Sequence, residues 1–399
     1  MTSYDLERIR AAFPALAHGV AYFDGPGGSQ TPTAVADAVA SAMTSGISNR
    51  GSVTDAEQRA EAVVAAGRTA VADLLGADPR GVVFGRSMTA LTFDLARTLA
   101  GGWRAGDEVV VTRLDHDANI RPWVIAAERA GATVRWLGFD PETAELDEVS
   151  PLLGERTRLV AVTGASNLLG TRPDVRRIVE AAHAVGALVH VDAVHLAPHA
   201  RISMTELGAD FVACSPYKFF GPHHGVLAAS PELLESLRPD KLLPSTDAVP
   251  ERFETGTLPY ELIAGTTAAV DFIAGLASDQ EDRRTALDES YAALESHEDA
   301  LAERLLDGLA GIGRVVVHGR PKHRTPTVLF SLDGVPGRRV HEQLAARQVN
   351  APSGSFYAIE ASRHAGLGDA GGVRAGLAPY TSTEDVDRLL AGVAEIAAS

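Results

Sequence analysis

The chain is poor in the residue that most often declares a special chemistry. It has one cysteine in 399 residues, Cys214, which excludes an internal disulfide and any zinc site built on paired cysteines. It also lacks a basic stripe. The formal net charge is −16 and the pI about 5.2, a balance that favours solubility and argues against nucleic acid, whose backbone demands clustered Lys and Arg. No apolar run approaches the roughly 18 residues of a membrane span. The opening Met1-Thr2-Ser3-Tyr4-Asp5-Leu6-Glu7 has neither a charged n-region nor an apolar h-region, so the expected location is cytoplasmic, with no membrane partner. Internal repeats and low-complexity tracts are absent as well.

What is present is an ordinary globular composition, 45% hydrophobic and 22% charged, on a chain long enough for two domains. From about residue 60 to 230, apolar β-branched runs alternate with alanine-rich amphipathic stretches. The predicted strands are Gly81–Gly85, Glu108–Thr112, Thr133–Leu137, Leu159–Thr163, Ala187–Asp192, Phe211–Cys214 and Gly225–Ala228. Helical patterns cover Thr89–Leu99, Asn119–Ala130 and Val175–Val185. This alternation predicts an α/β fold with a mostly parallel sheet between helices, its strands buried on both faces. Ligands of such sheets bind beyond the carboxyl ends of the strands. A smaller α+β domain is expected after a long charged helix near 277–311, with strands Val315–His318 and Thr327–Ser331 and helices Arg338–Arg347 and Thr383–Ala397. The segment Leu242–Gly256 reads as a loop.

Chemistry concentrates at one sheet edge. Asp192 ends a buried strand, and Lys218, in Ser215-Pro216-Tyr217-Lys218-Phe219-Phe220-Gly221-Pro222, follows the next one. This is the pairing that pyridoxal phosphate needs: a lysine to bind the cofactor aldehyde and a carboxylate to keep the pyridine nitrogen protonated. The plainer alternative is a strand-end aspartate and an unrelated surface lysine. Four weaker signals accompany this pair. Ser87, Met88 and Thr89 open a helix after a strand, where backbone N–H groups attract phosphate, although Ser and Thr there are also ordinary helix caps. His116 follows a strand and suits stacking on a flat cofactor, or is a solvated loop histidine. Asn167 follows another strand, in what also reads as a common turn. Arg374, in a short apolar strand, suits bidentate carboxylate recognition or a structural ion pair. A rival reading gathers Asp192, His195 and His199 on one helical face around a metal. Pro198 interrupts that helix, and no Glu is expected beside the pair.

Taken together these residues resemble the class V aminotransferase and cysteine desulfurase family, fold type I of the pyridoxal-phosphate enzymes. The similarity runs nearly end to end from Tyr22-Phe23-Asp24-Gly25-Pro26-Gly27-Gly28. It is closest to the cysteine desulfurase-like subgroup through Arg113-Leu114-Asp115-His116-Asp117-Ala118-Asn119 and Arg252-Phe253-Glu254-Thr255-Gly256-Thr257. The resemblance implies pyridoxal 5'-phosphate as cofactor, Lys218 as its Schiff-base lysine, Asp192 as the pyridinium partner and His116 stacked on the ring. It sets Asn167 near the phenolic oxygen, makes Ser87, Met88, Thr89 and Ser215 the phosphate cup, and brings His195 and Tyr217 against the cofactor. Thr257 would reach the phosphate of the neighbouring subunit, which implies a homodimer with a shared site. Arg374 would hold the substrate carboxylate, with Ser355 and Tyr357 beside it. The implied domains are 31–275 for the cofactor and 276–399 for the smaller unit, on which residues 1–30 pack.

Three departures bear on activity. His195 stands where related desulfurases commonly have glutamine, and Tyr217 where they commonly have histidine. The loop that carries their nucleophilic cysteine reads Val349-Asn350-Ala351-Pro352-Ser353-Gly354-Ser355-Phe356-Tyr357 here. Cys214, on a predicted buried strand, is poorly suited to replace a mobile thiolate. The expected reaction is therefore β-elimination from cysteine or an S-substituted cysteine, a C–S lyase without a persulfide. Desulfuration, transamination, epimerisation and oxidative decarboxylation-deamination are the alternatives on the same scaffold. A cofactor-retaining scaffold protein without turnover is the alternative from another class.

Overall fold

The computed structural model describes residues 4–399. Residues 1–3 of the N-terminal segment lie outside the described residues. After a short helix, Leu6–Ala11, the chain forms a two-residue strand, β1 (Ala21–Tyr22), and then builds a seven-stranded sheet. Its strands in chain order are β2 (Val82–Gly85), β3 (Glu108–Thr112), β4 (Thr133–Leu137), β5 (Thr157–Thr163), β6 (Leu188–Asp192), β7 (Phe211–Cys214) and β8 (Gly225–Ala229). In space they run β2-β8-β7-β6-β5-β3-β4. All neighbours are parallel except at β8, which is antiparallel to both β2 and β7. The fold is α/β, as the alternating pattern predicts.

β6, β7 and β8 are buried on both faces, since helices cover the sheet on each side. β4 departs from the expected double burial. It is an edge strand whose residues alternate between exposed and half-buried before Leu137, and Arg135 points out to pair with Glu108 on β3. The other edge is closed by side chains. Arg68, from the helix Asp55–Leu75, donates to Val82 O and forks onto both carboxylate oxygens of Glu254 at 2.9 Å. Glu254 in turn accepts from Phe84 N at 2.9 Å. This buried pair replaces a neighbouring strand along β2 and ties the 251–257 segment to the sheet.

A second sheet of four strands follows the long helix Arg283–Ala310. It is formed by β9 (Val315–His318), β10 (Thr327–Leu332), β12 (Ser353–Gly354) and β13 (Gly372–Gly376), in the order β12-β13-β10-β9 and antiparallel throughout. The remaining strand, β11 (Val349–Asn350), pairs in parallel with β1. That pairing joins the N-terminal segment to the later part of the chain and puts Asp24 against Gly376. Two-residue strands carry no periodicity, which is why β1, β11 and β12 are invisible in the pattern. No helix of the described residues is long and apolar enough to cross a membrane.

Candidate active site

Beyond the carboxyl ends of β5, β6 and β7 the chain encloses a cavity of about 600 Å³. Asp192 is the last residue of β6, and β7 runs directly into the single turn Pro216–Lys218. The parallel register sets Asp192 beside Ala213, so the aspartate and the turn bearing the lysine meet on one wall. Asp192 is buried, accepts from Val194 N at 2.9 Å and has no salt bridge among the described residues. Burial raises its pKa to about 6. Burial also lowers Lys218 to about 7, helped by the Arg374 cation. Its Nζ donates to Pro26 O, a partner from the Gly25–Gly27 turn that sequence reasoning had given no role.

Ser87 caps the helix Met88–Ala100, accepting from Ala90 N at 3.1 Å. The amides of Met88 and Thr89 begin that helix, where no preceding turn supplies a carbonyl. Gly225 explains how the cup sits so close to the sheet: a Cβ there would lie 2.1 Å from the Ser87 carbonyl carbon. Ser87, Met88, Thr89 and Ser215 all line the cavity. His116 lines it too. Its Nδ1 accepts from Ala118 N at 3.0 Å, which leaves the ring proton on Nε2. Burial, with Lys218 and Arg374 nearby, lowers its pKa to about 4, so the ring is neutral near pH 7. Behind it Asp115, fully buried, binds Thr112 Oγ1, Asn119 Nδ2 and Thr163 N and holds the loop.

The four-stranded sheet contributes Arg374, in the middle of β13. It is 2% exposed, donates from Nη1 to Asn167 O at 2.9 Å and makes no salt bridge among the described residues. Burial lowers its pKa to about 9, against the pull of Asp24. The Phe356 ring lies 3.7 Å over its guanidinium. Phe356 and Tyr357 both have left-handed backbone, φ 52° and 59°, held by Asn167 Nδ2 to Phe356 O (3.0 Å) and Asp117 N to Tyr357 O (2.7 Å). The Tyr357 ring stacks on His116 at 5.5 Å. Phe356, Pro26 and Asp24 are the neighbours that sequence reasoning missed; the Gly-Pro-Gly turn was the available signal for Pro26, and nothing marked Phe356.

One expected residue is not on this wall. Ser355 does not line the cavity, whereas Phe356 and the largely exposed Tyr357, both in left-handed backbone, do. Thr257 is exposed and lies outside this chain's own cavity. His195 and Tyr217 do line it. His195 Nε2 lies 3.1 and 3.0 Å from the hydroxyls of Thr325 and Thr327, and burial keeps the ring neutral. Tyr217 stacks on His223 at 4.6 Å, and burial raises its pKa.

The rival metal arrangement does not assemble. Residues 194–200 form turns rather than a helix, so His195 and His199 face different partners. His199 Nδ1 is 2.9 Å from Glu298 Oε2, which corrects the expectation that no Glu stands beside the pair. Glu298 arrives from the long helix 99 residues on, a distance no local pattern reveals. Among the described residues no three metal-binding groups converge.

The wall fits pyridoxal phosphate. Asn167 Oδ1, His195 Nδ1 and Arg374 Nε are buried without partners among the described residues, and all three residues line the cavity. Such orphaned groups are costly unless a ligand satisfies them. Asp192 is a buried carboxylate without a cation, and the helix end at Ser87 is a ready anion site.

Comparison with known proteins agrees. The family model described as aminotransferase class-V matches residues 21–389. An uncharacterized protein of Mycobacterium tuberculosis is 36% identical, covering 99% of this chain and all of that one. A probable cysteine desulfurase of Mycobacterium leprae is 33% identical, covering 98% of this chain and 97% of its own. The apo cysteine desulfurase of Thermococcus onnurineus superposes with a TM-score of 0.89 at 27% identity, over the full length of both chains. The chain belongs to the class V aminotransferase family, and it is a cysteine desulfurase-like, pyridoxal-phosphate-dependent enzyme acting on a small amino-acid substrate.

Proposed function

We propose that this enzyme cleaves the carbon–sulfur bond of cysteine or an S-substituted cysteine by β-elimination and forms no persulfide on the protein. The observation that carries the reading is the state of its one cysteine. Cys214 is completely buried in β7, and burial pushes its thiol far above the ordinary range. A thiol in that state is neither a nucleophile nor mobile. The segment 349–357 has hydroxyls and aromatic rings in its place, pinned at both Phe356 O and Tyr357 O.

The cofactor, when bound, supplies the electron sink that loosens bonds at the substrate's Cα. Asp192, Asn167, His195, Ser215 and the Ser87–Thr89 helix end hold it, with His116 against its ring. The rest of the chemistry belongs to side chains. Arg374 is an uncompensated fork whose geometry suits an α-carboxylate, and a carboxylate held there is kept from leaving. Lys218, with its amine down to about 7, is available as a neutral base to take the Cα proton at physiological pH. The leaving sulfur requires a proton; Tyr217, Tyr357 and the Nε2–H of His116 are the donors on the wall. The net reaction consumes water and gives a thiol, pyruvate and ammonia.

On the same reading residues 31–275 form the cofactor domain, 276–399 the smaller one and 1–30 a segment packed on the latter, as the β1–β11 pairing supports. Thr257, exposed on a loop anchored by Glu254, serves the partner's phosphate in a homodimer. The test is product analysis with cysteine, S-methyl-cysteine and S-(carboxymethyl)-cysteine, together with intact-mass measurement of the protein after turnover with cysteine. Thiol and pyruvate in equal amounts on an unmodified chain support the reading. Alanine as product, with an added sulfur on Cys214, restores desulfuration.

A further inference from the structure

One part of the cavity wall is used neither by the cofactor-holding residues nor by Arg374. Phe93, Asp117, Ala118, Arg121 and Tyr357 line it together, on the side of the helices Met88–Ala100 and Arg121–Ala130. A substrate held by its carboxylate at Arg374 must send its side chain along an unassigned part of the wall, and this stretch is the part that carries a cation. Its composition is specific. Phe93 is half-buried and Tyr357 stacks on His116, so this stretch carries two aromatic rings and one guanidinium.

Arg121 is not free to wander. Its Nη2 lies 3.1 Å from Asp117 Oδ1 and its Nε 3.4 Å from Asp117 Oδ2. Asp117 is itself held by its backbone N–H to Tyr357 O at 2.7 Å. A half-exposed i,i+4 pair of this kind contributes little to stability. It does fix orientation. A guanidinium has five N–H donors, and the aspartate takes only the Nε/Nη2 edge; the Nη1 edge has no protein acceptor among the described residues. Each carboxylate oxygen of Asp117 contacts Arg121 once, which leaves the Nη1 edge as the unpaired donor of the pair among the described residues. In a chain of net charge −16, a cation on the wall favours an anionic group at that point.

We infer that Arg121 is a specificity residue that binds a second carboxylate, at the far end of the substrate's side chain. The substrate class is then an amino acid with two carboxylates, joined by an apolar spacer that lies along Phe93 and Tyr357. For the proposed lyase this means an S-carboxyalkyl cysteine. The inference rests on the reading of Arg374 as the α-carboxylate site, but not on which bond breaks.

Binding to the holoenzyme, read from the change in cofactor absorbance, separates the two questions. 2-Aminoadipate and norleucine have similar length and no leaving group at Cβ. The expected result is about tenfold tighter binding of 2-aminoadipate, the size of one charge-assisted contact. Arg121→Gln should bring the two ligands to parity by weakening 2-aminoadipate alone, and Arg121→Lys should retain part of the preference. An unchanged ratio in Arg121→Gln, or tighter norleucine binding in the parent enzyme, overturns the inference. If the preference holds but S-(carboxymethyl)-cysteine releases no thiol, the inference stands and the lyase reading falls. If thiol is released and both variants bind the two ligands as the parent does, the lyase stands and the role of Arg121 falls.

Discussion

The two sheets reach the same cavity by different means. The seven-stranded sheet delivers Asp192 and Lys218 from strand ends and the turns immediately after them, where the backbone that places the side chain is itself locked into the parallel ladder. The four-stranded sheet delivers Arg374 from the middle of a strand, and the loop beyond β12 completes its surroundings through Phe356 and Tyr357. A group at a strand end keeps its position whatever the neighbouring domain does. A group that depends on a loop with two left-handed residues keeps its position only while the contacts to Asn167 and Asp117 persist. The first kind of construction suits a fixed cofactor, and the second suits a substrate that comes and goes.

The sharpest break of this comparison is at Lys218. The chain has three lysines, and only Lys218 lies on the cavity wall. Lys218→Ala should abolish both covalent cofactor attachment and turnover. Borohydride reduction followed by peptide mapping checks it; label on Lys241 or Lys322 would remove the assignment. Asp192→Asn comes next. The variant should keep the cofactor and lose on the order of 10² to 10⁴ in kcat, since a neutral amide no longer stabilises a charged ring nitrogen. Near-normal turnover would make Asp192 a structural residue.

Variants of the second sheet should behave differently. Arg374→Gln is expected to raise KM by roughly 10² with a smaller change in kcat, because a fork to the substrate carboxylate is lost while the cofactor wall is untouched. Steady-state kinetics with cofactor content measured in parallel decides this. Loss of cofactor instead of affinity would mean that Arg374 holds the large-sheet wall together through Asn167, and the contrast between the sheets would dissolve.

The same contrast explains what the sequence reveals. Asp192, Lys218, Ser87 and His116 are legible because each follows a buried strand within a few residues, so periodicity alone locates them at the sheet edge. Glu254 and Glu298 are not, because their partners Arg68 and His199 lie 186 and 99 residues away. Phe356 is illegible for another reason: its aim depends on a positive φ that a non-glycine residue does not announce. The Asp55–Leu75 and Tyr260–Ala274 helices pack on each other through small side chains, and Gly67 admits Ile263 where a Cβ would lie 2.3 Å from it.

A smaller effect concerns protons in the cofactor-free protein. Lys218 falls from 10.5 to about 7 on folding, so below pH 7 the folded state holds a buried cation that the unfolded state solvates. Between pH 7 and 10.5 the unfolded chain binds more protons, and stability rises with pH in that window. Lys218→Met should therefore raise Tm of the apo protein by a few degrees near pH 6, an order-of-magnitude figure, with the gain fading towards pH 10. A gain that does not depend on pH would mean that packing, rather than charge, is what the lysine disturbs.

The smallest effect is expected at Cys214, and it bears directly on the reaction. The side chain is completely buried in β7, the same strand that runs into the Lys218 turn, yet it packs in the core and does not line the cavity. Removing its sulfur leaves a small void, at about 1 kcal/mol of stability. Activity in a Cys214→Ala variant should stay within about twofold of the parent, since elimination needs a base at Cα and a proton for the leaving sulfur, and neither comes from a buried, protonated thiol. Thermal unfolding and thiol release measured on the same preparation separate the two quantities. A variant that folds normally and releases no thiol from S-substituted cysteine would show that the cysteine, buried as it is, takes part in the chemistry. The division between a fixed wall for the cofactor and an adaptable loop for the substrate would then have to include a third, buried participant.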